Sequence, residues 1–311
     1  MPHTTTRNVV ALALDNRMVY GFLVLAHALV STSRNKASFL IGFFEGQLST
    51  KNQDLVRRYL EWLGWAFDLR ALTPDELFTE RRHLTMTTFS KFILADDFPD
   101  AHLWLDIDTI ALAGWDSLFD SIHSAPKGIS LVVADKIESP YTRFEGFNAG
   151  VLGWTKGPRR AWSQALAELP EKRFSSEQYL FNTLYQDGLQ RVPVAFNFLS
   201  SWHREYERFA PAHIIHFSGP VKPWHLGRRH SNSWRSINSL WDFWFQAEKK
   251  MLTAIDQESF ANIIQREKTR ALFSARLYLG KGSLASWIMR ALAIMGGLGN
   301  PIVSLISRRA G

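Results

Sequence analysis

Short apolar runs alternate with segments of helical periodicity along most of this 311-residue chain. Each apolar run has the length of a buried strand, and each intervening segment repeats its apolar residues at helical spacing. The strand-like runs are 8–14, 37–44, 102–108, 128–135 and 147–154, and the helix-like segments are 20–33, 52–67, 85–98, 157–169 and 175–188. Strands that alternate with helices form a mostly parallel sheet covered on both faces. The pattern therefore predicts an α/β fold.

The positive charge of the chain is concentrated in its C-terminal segment. Residues 261–311 hold eight Lys or Arg residues and one Glu, so their net charge is +7. The net charge of the whole chain is also +7, so the charges of residues 1–260 sum to zero. A chain of this length suits one large domain with a modest appendage. We therefore predict a main domain over residues 1–260 and a basic helical extension over residues 261–311.

The cysteine content and the N-terminal residues bear on the compartment. The sequence contains no cysteine, which excludes a disulfide framework and a thiolate metal site. Its first residues lack the long apolar segment of a secretory signal and lead directly into the first strand-like run. We therefore expect the chain to begin in the cytoplasm.

Two acidic residues end the third strand-like run, in the stretch "LWLDIDT". If the strand continues through them, Asp106 and Asp108 point the same way and Ile107 points into the core, because side chains alternate along a strand. Paired carboxylates at the carboxyl end of a strand suit Mg²⁺ or Mn²⁺, and such an ion usually carries phosphate with it. The alternative is that both carboxylates are simply solvated in a turn.

A phosphatase of the haloacid-dehalogenase type is a second alternative for the same stretch. Those enzymes present a nucleophile in an Asp-x-Asp-x-Thr motif, and "LDIDT" fits it. They place the motif after the first strand, however, whereas several strand-like runs precede it here. This alternative is therefore the minor one.

A cluster of histidine and lysine lies in "HFSGPVKPWH", after the short apolar run "HII". On a strand His213 and His216 point to opposite faces, so we predict that His213 is structural and that His216 joins the acidic pair. An imidazole ligand beside two carboxylates favours Mn²⁺ over Mg²⁺. Lys222 follows in a loop stiffened by prolines, where a fixed ammonium suits a diphosphate oxygen. The alternative for Lys222 is an ordinary surface lysine.

The stretches "LWLDIDT", "FNAGVLGW", "SSEQYLFN" and "HFSGPVKPWH", in this order, resemble the family-8 retaining glycosyltransferases. The likeness is greatest to bacterial galactosyl- and glucosyltransferases that extend lipopolysaccharide. The resemblance implies a GT-A fold, with a Rossmann-like mixed central sheet flanked by helices, a UDP-sugar donor and a requirement for Mn²⁺. It also implies that residues 1–260 form the catalytic domain.

The resemblance also implies roles for particular residues. Asp106, Asp108 and His216 would be the metal ligands. Gln178 would lie close to the reactive carbon of the donor sugar, Asp135 would hold sugar hydroxyls, and Lys222 would hold the diphosphate. The implied UDP-sugar contacts are Asp15, Asn16, Lys91, Asp106, Ile107, Asn148, Gly219 and Lys222.

The sequence departs from the family pattern at two places. Leu14 stands where the family has an Asp that helps to hold uracil, and Arg17 stands where it has a Tyr. Arg17 would be able to stack on a base. Glu177 and Tyr179 replace the two acids that flank the glutamine in the family. Transfer with retention through front-face attack by a saccharide or glycolipid acceptor is implied by the resemblance alone, and the alternative is a catalytically silent sugar-nucleotide or membrane-surface binding protein.

The basic extension contains an amphipathic segment at 282–295, with basic residues around it. As a helix its apolar part is too short to cross the roughly 30 Å of bilayer hydrocarbon. We expect it to lie on an anionic membrane, which would make the protein peripheral on the inner face of the plasma membrane. The alternative is a helix that packs on the domain. Nucleic acid is not expected as a partner, because the charges lack a recognition motif.

Overall fold

The computed structural model describes residues 8–75, 86–138, 146–157, 160–168, 177–219, 222–225 and 238–274 of the chain. The strands are β1 (Val9–Ala13), β2 (Ser38–Phe44), β3 (Ala66–Leu72), β4 (His102–Leu105), β5 (Thr109–Ala111), β6 (Leu131–Ala134), β7 (Val151–Trp154), β8 (Leu189–Val192), β9 (Phe198–Leu199) and β10 (Ile214–His216). The α-helices are α1 (Val19–Thr32), α2 (Thr50–Leu63), α3 (Ser90–Asp97), α4 (Leu118–His123), α5 (Ala161–Glu168), α6 (Glu177–Leu184), α7 (Tyr206–Phe209), α8 (Trp241–Ala254) and α9 (Ala261–Ser274). Short 3₁₀ helices cover Met86–Phe89, Trp115–Ser117, Val194–Phe196 and Ser200–Glu205.

Seven strands form the central sheet in the order β3-β2-β1-β4-β7-β6-β8. Strand β7 is antiparallel to both of its neighbours, and the other pairings in this sheet are parallel. The predicted mixed sheet flanked by helices is therefore confirmed. Strands β1, β4 and β6 run in the same direction, so their carboxyl ends lie along the same edge of the sheet. A second sheet of three strands has the order β5-β10-β9.

The core of the first part of the chain lies on both faces of the central sheet. Every residue of β1 and β2 is buried, as the continuous apolar runs predict for strands covered on two sides. On one face, the rings of Phe92 in α3 and Phe181 in α6 stack with their centroids 4.1 Å apart. Burial of such a ring contributes about 1.5–3 kcal/mol of stability. These two helices also carry Lys91 and Gln178, so the same packing positions polar residues.

The predicted helix over 52–67 is wrong at its C-terminal end. Helix α2 ends at Gly64, which has a φ of 73° and accepts the left-handed conformation that ends many helices. The chain then forms β3, which the sequence did not predict. Strand β3 is at the edge of the sheet and most of its residues are partly exposed, so it lacks a continuous apolar run. The sequence did not predict β8 and β9, because both strands are short. Strand β8 also lies at the edge of the central sheet opposite β3.

The chain divides into two compact units, Met1–Ser218 and Gly219–Gly311. Within the second unit, Lys268 of α9 forms an ion pair with Glu248 of α8, at 3.0 Å. The rings of Trp224 and Trp244 pack with centroids 5.8 Å apart. The domain boundary at residue 260 stays a prediction, and the amphipathic segment 282–295 lies outside the described residues. Among the helices that the structure does describe, none is both long and apolar enough to cross a membrane.

Candidate functional site

The two acidic residues of "LDIDT" lie in a turn between β4 and β5. Strand β4 ends at Leu105, and the turn is closed by the backbone N–H and hydroxyl of Thr109, which both donate to the Asp106 carbonyl, at 3.1 Å and 2.8 Å. The prediction that Asp106 and Asp108 continue the strand is therefore wrong, because the chain leaves the central sheet here to enter the smaller one. Ile107 is buried, as predicted. The motif follows the fourth strand, which also disfavours the phosphatase alternative.

The smaller sheet brings the imidazole of His216 close to the two carboxylates. His216 ends β10, which pairs antiparallel with β5 so that His216 is opposite Thr109. The backbone N–H of Phe217 donates to the Asp108 carbonyl at 2.7 Å, which holds the strand end against the turn. One ligand atom from each of Asp106, Asp108 and His216 lies within 4.8 Å of the others. We call these three residues the acidic–histidine cluster.

His213 lies just before β10 rather than on it, and it makes contacts of a structural kind. Its Nδ1 lies 2.8 Å from the Ala113 carbonyl, and its ring packs against Phe196 with centroids 5.1 Å apart. His213 and His216, three residues apart, thus have separate partners, with His213 just before β10 and His216 at its end.

A fully buried lysine supports the acidic–histidine cluster. Lys91 Nζ lies 3.1 Å from Asp106 Oδ1 and 3.5 Å from Glu177 Oε1, and it donates to the Ala149 carbonyl at 3.1 Å. Burial lowers the pKa of Lys91, but the carboxylates of Asp106 and Glu177 outweigh this effect, so the pKa lies above its ordinary value. Lys91 therefore remains an ammonium. The indole of Trp104 also donates to Asp106 Oδ1, at 2.8 Å.

Glu177 is buried at the start of α6. Burial raises its pKa, against the opposing effect of Lys91. The family pattern has an Asp at this position, and the longer Glu side chain is here the partner of the buried ammonium.

Asn148, in the segment before β7, and Gln178 of α6 form an amide pair. Asn148 Nδ2 donates to Gln178 Oε1 at 2.9 Å, and the N–H of Ala149 donates to the same oxygen at 3.3 Å. Asn148 Oδ1 accepts from the N–H of Gly150 at 3.0 Å. The structure thus brings together two residues that the resemblance assigns to the donor sugar.

Gly150 also provides space for the imidazole. A Cβ on Gly150 would lie 2.2 Å from His216 Cε1, so any other residue would displace the ring. The Gly150 carbonyl accepts from the Asp106 N–H at 2.7 Å. One residue therefore contacts two members of the acidic–histidine cluster and the amide pair.

Asn197 is a buried polar residue that the sequence did not indicate. Its Nδ2 donates to Asn148 O at 3.2 Å and Asn148 Oδ1 at 3.0 Å, and its Oδ1 lies 3.1 Å from His216 Nδ1. The stretch "AFNFL" contains no motif for this role. The only signal is one polar residue within an apolar segment.

Three other predicted residues, Asp135, Asp15 and Asn16, follow strands whose carboxyl ends lie along the same edge of the central sheet. Asp135 follows β6 and is exposed, with Arg191 Nη1 3.4 Å from its Oδ1. Asp15 follows β1 and is buried. Its carboxylate accepts from the N–H groups of Arg17 and Met18, at 2.7 Å and 3.2 Å, and pairs with the Arg17 guanidinium at 3.0 Å.

Asn16 is likewise engaged within the protein. Its Oδ1 accepts from the Ser49 N–H at 3.0 Å and from Asn52 Nδ2 at 2.8 Å. These bonds join the loop after β1 to the start of α2. Leu14, the departure from the family pattern, is fully buried and offers no polar group.

Gly219 and Lys222 belong to the second unit. Gly219 has a φ of 113°, a conformation that favours glycine. The Lys222 N–H donates to His225 Nδ1 at 3.2 Å, and both side chains are buried. Burial, with the nearby Lys222 charge, lowers the pKa of His225 to about 3. His225 is therefore neutral, in agreement with the acceptor role of its Nδ1.

Comparison with solved structures defines the class of the fold as GT-A. The structure is similar to that of an active-site mutant of LgtC, with a TM-score of 0.62 and 19% identity over 78% of this chain and 95% of that one. It is also similar to the glycosyltransferase GlyE of Streptococcus pneumoniae, with a TM-score of 0.57 and 21% identity over 82% of this chain and 64% of that one. At these identities the likeness shows the fold.

The chain belongs to glycosyl transferase family 8, whose sequence profile matches residues 9–227. The family predicted from the sequence is therefore confirmed. Glycogenin of Neurospora crassa is 22% identical over 253 residues, which are 76% of this chain and 34% of glycogenin. The chain therefore spans about a third of the length of that relative.

Proposed function

We propose that this protein is a metal-dependent retaining glycosyltransferase that moves a hexose from a UDP-sugar to a saccharide or lipid-linked acceptor. The observation that carries the proposal is the acidic–histidine cluster, whose ligand atoms lie within 4.8 Å of one another. The cluster follows the carboxyl end of β4, which is where ligands bind in open α/β sheets. The alternative of a silent binding protein has no use for such a cluster.

The donor set of the cluster fits a divalent ion. Two carboxylate oxygens and one imidazole nitrogen are hard to borderline ligands, a combination that suits Mn²⁺ better than Mg²⁺. Asp106 is oriented by hydrogen bonds from Trp104 and Lys91, as metal-ligating carboxylates usually are. When bound, the ion would supply electrostatic stabilisation of the diphosphate that leaves the sugar.

The other residues would orient the donor. The paired amides of Asn148 and Gln178 would contact the donor sugar, and Asp135, exposed at the end of β6, would hold sugar hydroxyls. Lys222 would hold the diphosphate as negative charge develops on it. A glutamine amide is a poor nucleophile, which favours front-face attack by the acceptor over a covalent intermediate on Gln178.

Recognition of the base would differ from the family pattern. The carboxylate of Asp15 and the carbonyl oxygen of Asn16 are engaged by protein donors. The Arg17 guanidinium is about one-third exposed and has the planar shape that stacks on a base. We assign Arg17 to that role, with Asp15 holding the guanidinium in place.

The acceptor would be a glycolipid such as lipopolysaccharide, with the basic C-terminal extension on the anionic inner face of the plasma membrane. The support is the charge distribution, since residues 261–311 carry the entire net charge of the chain. A similar solved structure is described as the galactosyltransferase LgtC in complex with donor and acceptor sugar analogues, with a TM-score of 0.58 and 19% identity.

The test is release of UDP from a panel of UDP-hexoses, with Mn²⁺ and with excess EDTA, and with saccharide and glycolipid acceptors. We expect UDP to be released from at least one donor. This release should require the metal and should increase when an acceptor is added. Binding of UDP-sugars without release across the whole panel would instead establish the silent binding protein.

A further inference from the structure

A chain of hydrogen bonds connects the backbone of β7 to the imidazole of His216. It begins at the N–H of Gly150, a group that donates in every state of the protein, and this donor makes Asn148 Oδ1 an acceptor. The N–H of Ala149 in the same way makes Gln178 Oε1 an acceptor, which leaves Asn148 Nδ2 as the donor between the two side chains. Backbone groups thus determine the orientation of both amides.

The same logic continues through Asn197. Its Nδ2 is close to two acceptors, the backbone carbonyl and the Oδ1 of Asn148. The amide nitrogen must therefore face Asn148, and Asn197 Oδ1 must face His216. Because Oδ1 only accepts, the proton of this hydrogen bond belongs to His216 Nδ1, 3.1 Å away.

The protonated Nδ1 leaves the lone pair of the neutral ring on Nε2. That nitrogen lies 3.3 Å from Asp108 Oδ1. Two groups with lone pairs at this distance are best satisfied by a shared cation. The position of the ring is itself restricted, since Gly150 allows it to approach and Asn197 is 2% exposed.

We propose that Asn197 is a positioning residue, which holds His216 as the Nδ1–H tautomer so that Nε2 faces Asp106 and Asp108. Metal-ligating histidines commonly donate their other ring N–H in this way, and the partner sets the tautomer and the ring orientation. Through Asn148 the same side chain connects the imidazole to Gln178. The tautomer itself does not depend on the proposed function, and only its use as a metal ligand rests on it.

The first experiment is nitrogen-15 NMR of the histidine rings in the metal-free, wild-type protein in alkaline buffer. The His216 resonances are assigned by comparison with a His216→Gln variant. We expect the proton of the neutral ring on Nδ1. A neutral ring that carries its proton on Nε2 overturns the proposal without any need for an Asn197 variant.

The second experiment compares Asn197→Ala with Asn197→Asp. The alanine removes the acceptor, so the ring should populate both tautomers and the Kd for Mn²⁺ alone, measured by calorimetry, should rise by roughly 10- to 100-fold. The aspartate keeps an acceptor toward Nδ1, so it should retain the Nδ1–H tautomer even though it loses the donor to Asn148. An unchanged tautomer in Asn197→Ala, or its loss in Asn197→Asp, contradicts the proposal.

Asn52→Ala is the matched control, since Asn52 is a fully buried asparagine of α2 that does not contact His216. It should leave the Mn²⁺ affinity and the His216 tautomer as in the wild type. The outcome is separable from the test of function. Failure of UDP release leaves the tautomer result standing, whereas an Nε2–H ring removes the role of Asn197 even in an active enzyme.

Discussion

Lys91 Nζ lies 3.1 Å from Asp106 Oδ1, and the lysine side chain is entirely excluded from solvent. Glu177 Oε1 lies 3.5 Å from the same nitrogen. The resemblance to family 8 implies that residue 91 faces the diphosphate and the sugar. The contacts support a second role, in which the ammonium pairs with the carboxylates of Asp106 and Glu177 and holds Asp106 in place within the acidic–histidine cluster.

Replacement of Lys91 by Met should destabilise the protein by about 3–5 kcal/mol, because it leaves the buried carboxylate of Glu177 and the partly exposed one of Asp106 without their counter-charge. Urea unfolding monitored by circular dichroism measures the change. The double variant Lys91→Met/Glu177→Gln should recover part of the loss, since one uncompensated charge is removed with it. A loss below about 1 kcal/mol in the single variant would correspond to an exposed ion pair and would contradict this role.

Replacement of Asp108 by Ala should abolish Mn²⁺-dependent turnover, because the cluster loses one of its three ligands. The decrease should exceed the roughly 10- to 100-fold typical for loss of a residue that only supports a ligand. UDP release at a series of Mn²⁺ concentrations provides the measurement. Asp120→Ala removes an exposed carboxylate of α4 and serves as the control. Full activity of Asp108→Ala would exclude Asp108 as a ligand.

Replacement of Lys222 by Ala should lower kcat by roughly 100- to 1,000-fold and change donor binding much less, since its contribution grows as charge develops on the leaving diphosphate. Steady-state kinetics with the donor identified by UDP release gives both parameters. Lys249→Ala, on the exposed face of α8, is the control for loss of a positive charge. Equal effects on kcat and on donor binding would argue against this role.

The stability of the wild-type protein should fall with acidification partly through His225. Its pKa is lowered to about 3 in the folded state, against 6.5 ordinarily. Between these values the unfolded chain binds a proton that the folded chain does not, so the His225 contribution is complete above pH 6.5 and is lost as the pH falls toward 3. Urea unfolding across this range should show a shallower pH dependence in His225→Gln. Parallel curves for the two proteins would show that His225 does not contribute.

Deletion of residues 275–311, which leaves α9 intact, should abolish flotation with liposomes that contain anionic lipid. Wild-type binding should weaken as salt rises and should be absent with neutral liposomes, because the attraction is electrostatic. If the truncated protein floats as well as the wild type, residues 275–311 are not the anchor. Retained UDP release by the truncated protein would show that the catalytic part remains folded.

The sequence determined the architecture because its signals are local. Strands covered on both faces, such as β1 and β2, must be continuously apolar, and the helices between them must repeat at helical spacing. The proximity of Asp106, Asp108 and His216 was also predictable from residue type and position. Strand β3 was not predicted from the sequence, because an edge strand is partly exposed and needs no continuous apolar run.

The tertiary structure alone decided how the site is assembled. The turn after Leu105 replaces the expected strand, since pairing of β5 with β10 moves the chain into a second sheet. Asn197 reaches His216 across 19 residues and Asn148 across 49, and no pattern within "AFNFL" encodes those partners. Hydrogen bonds between distant residues depend on which strand ends meet, and this is settled by packing of the whole domain rather than by any local segment.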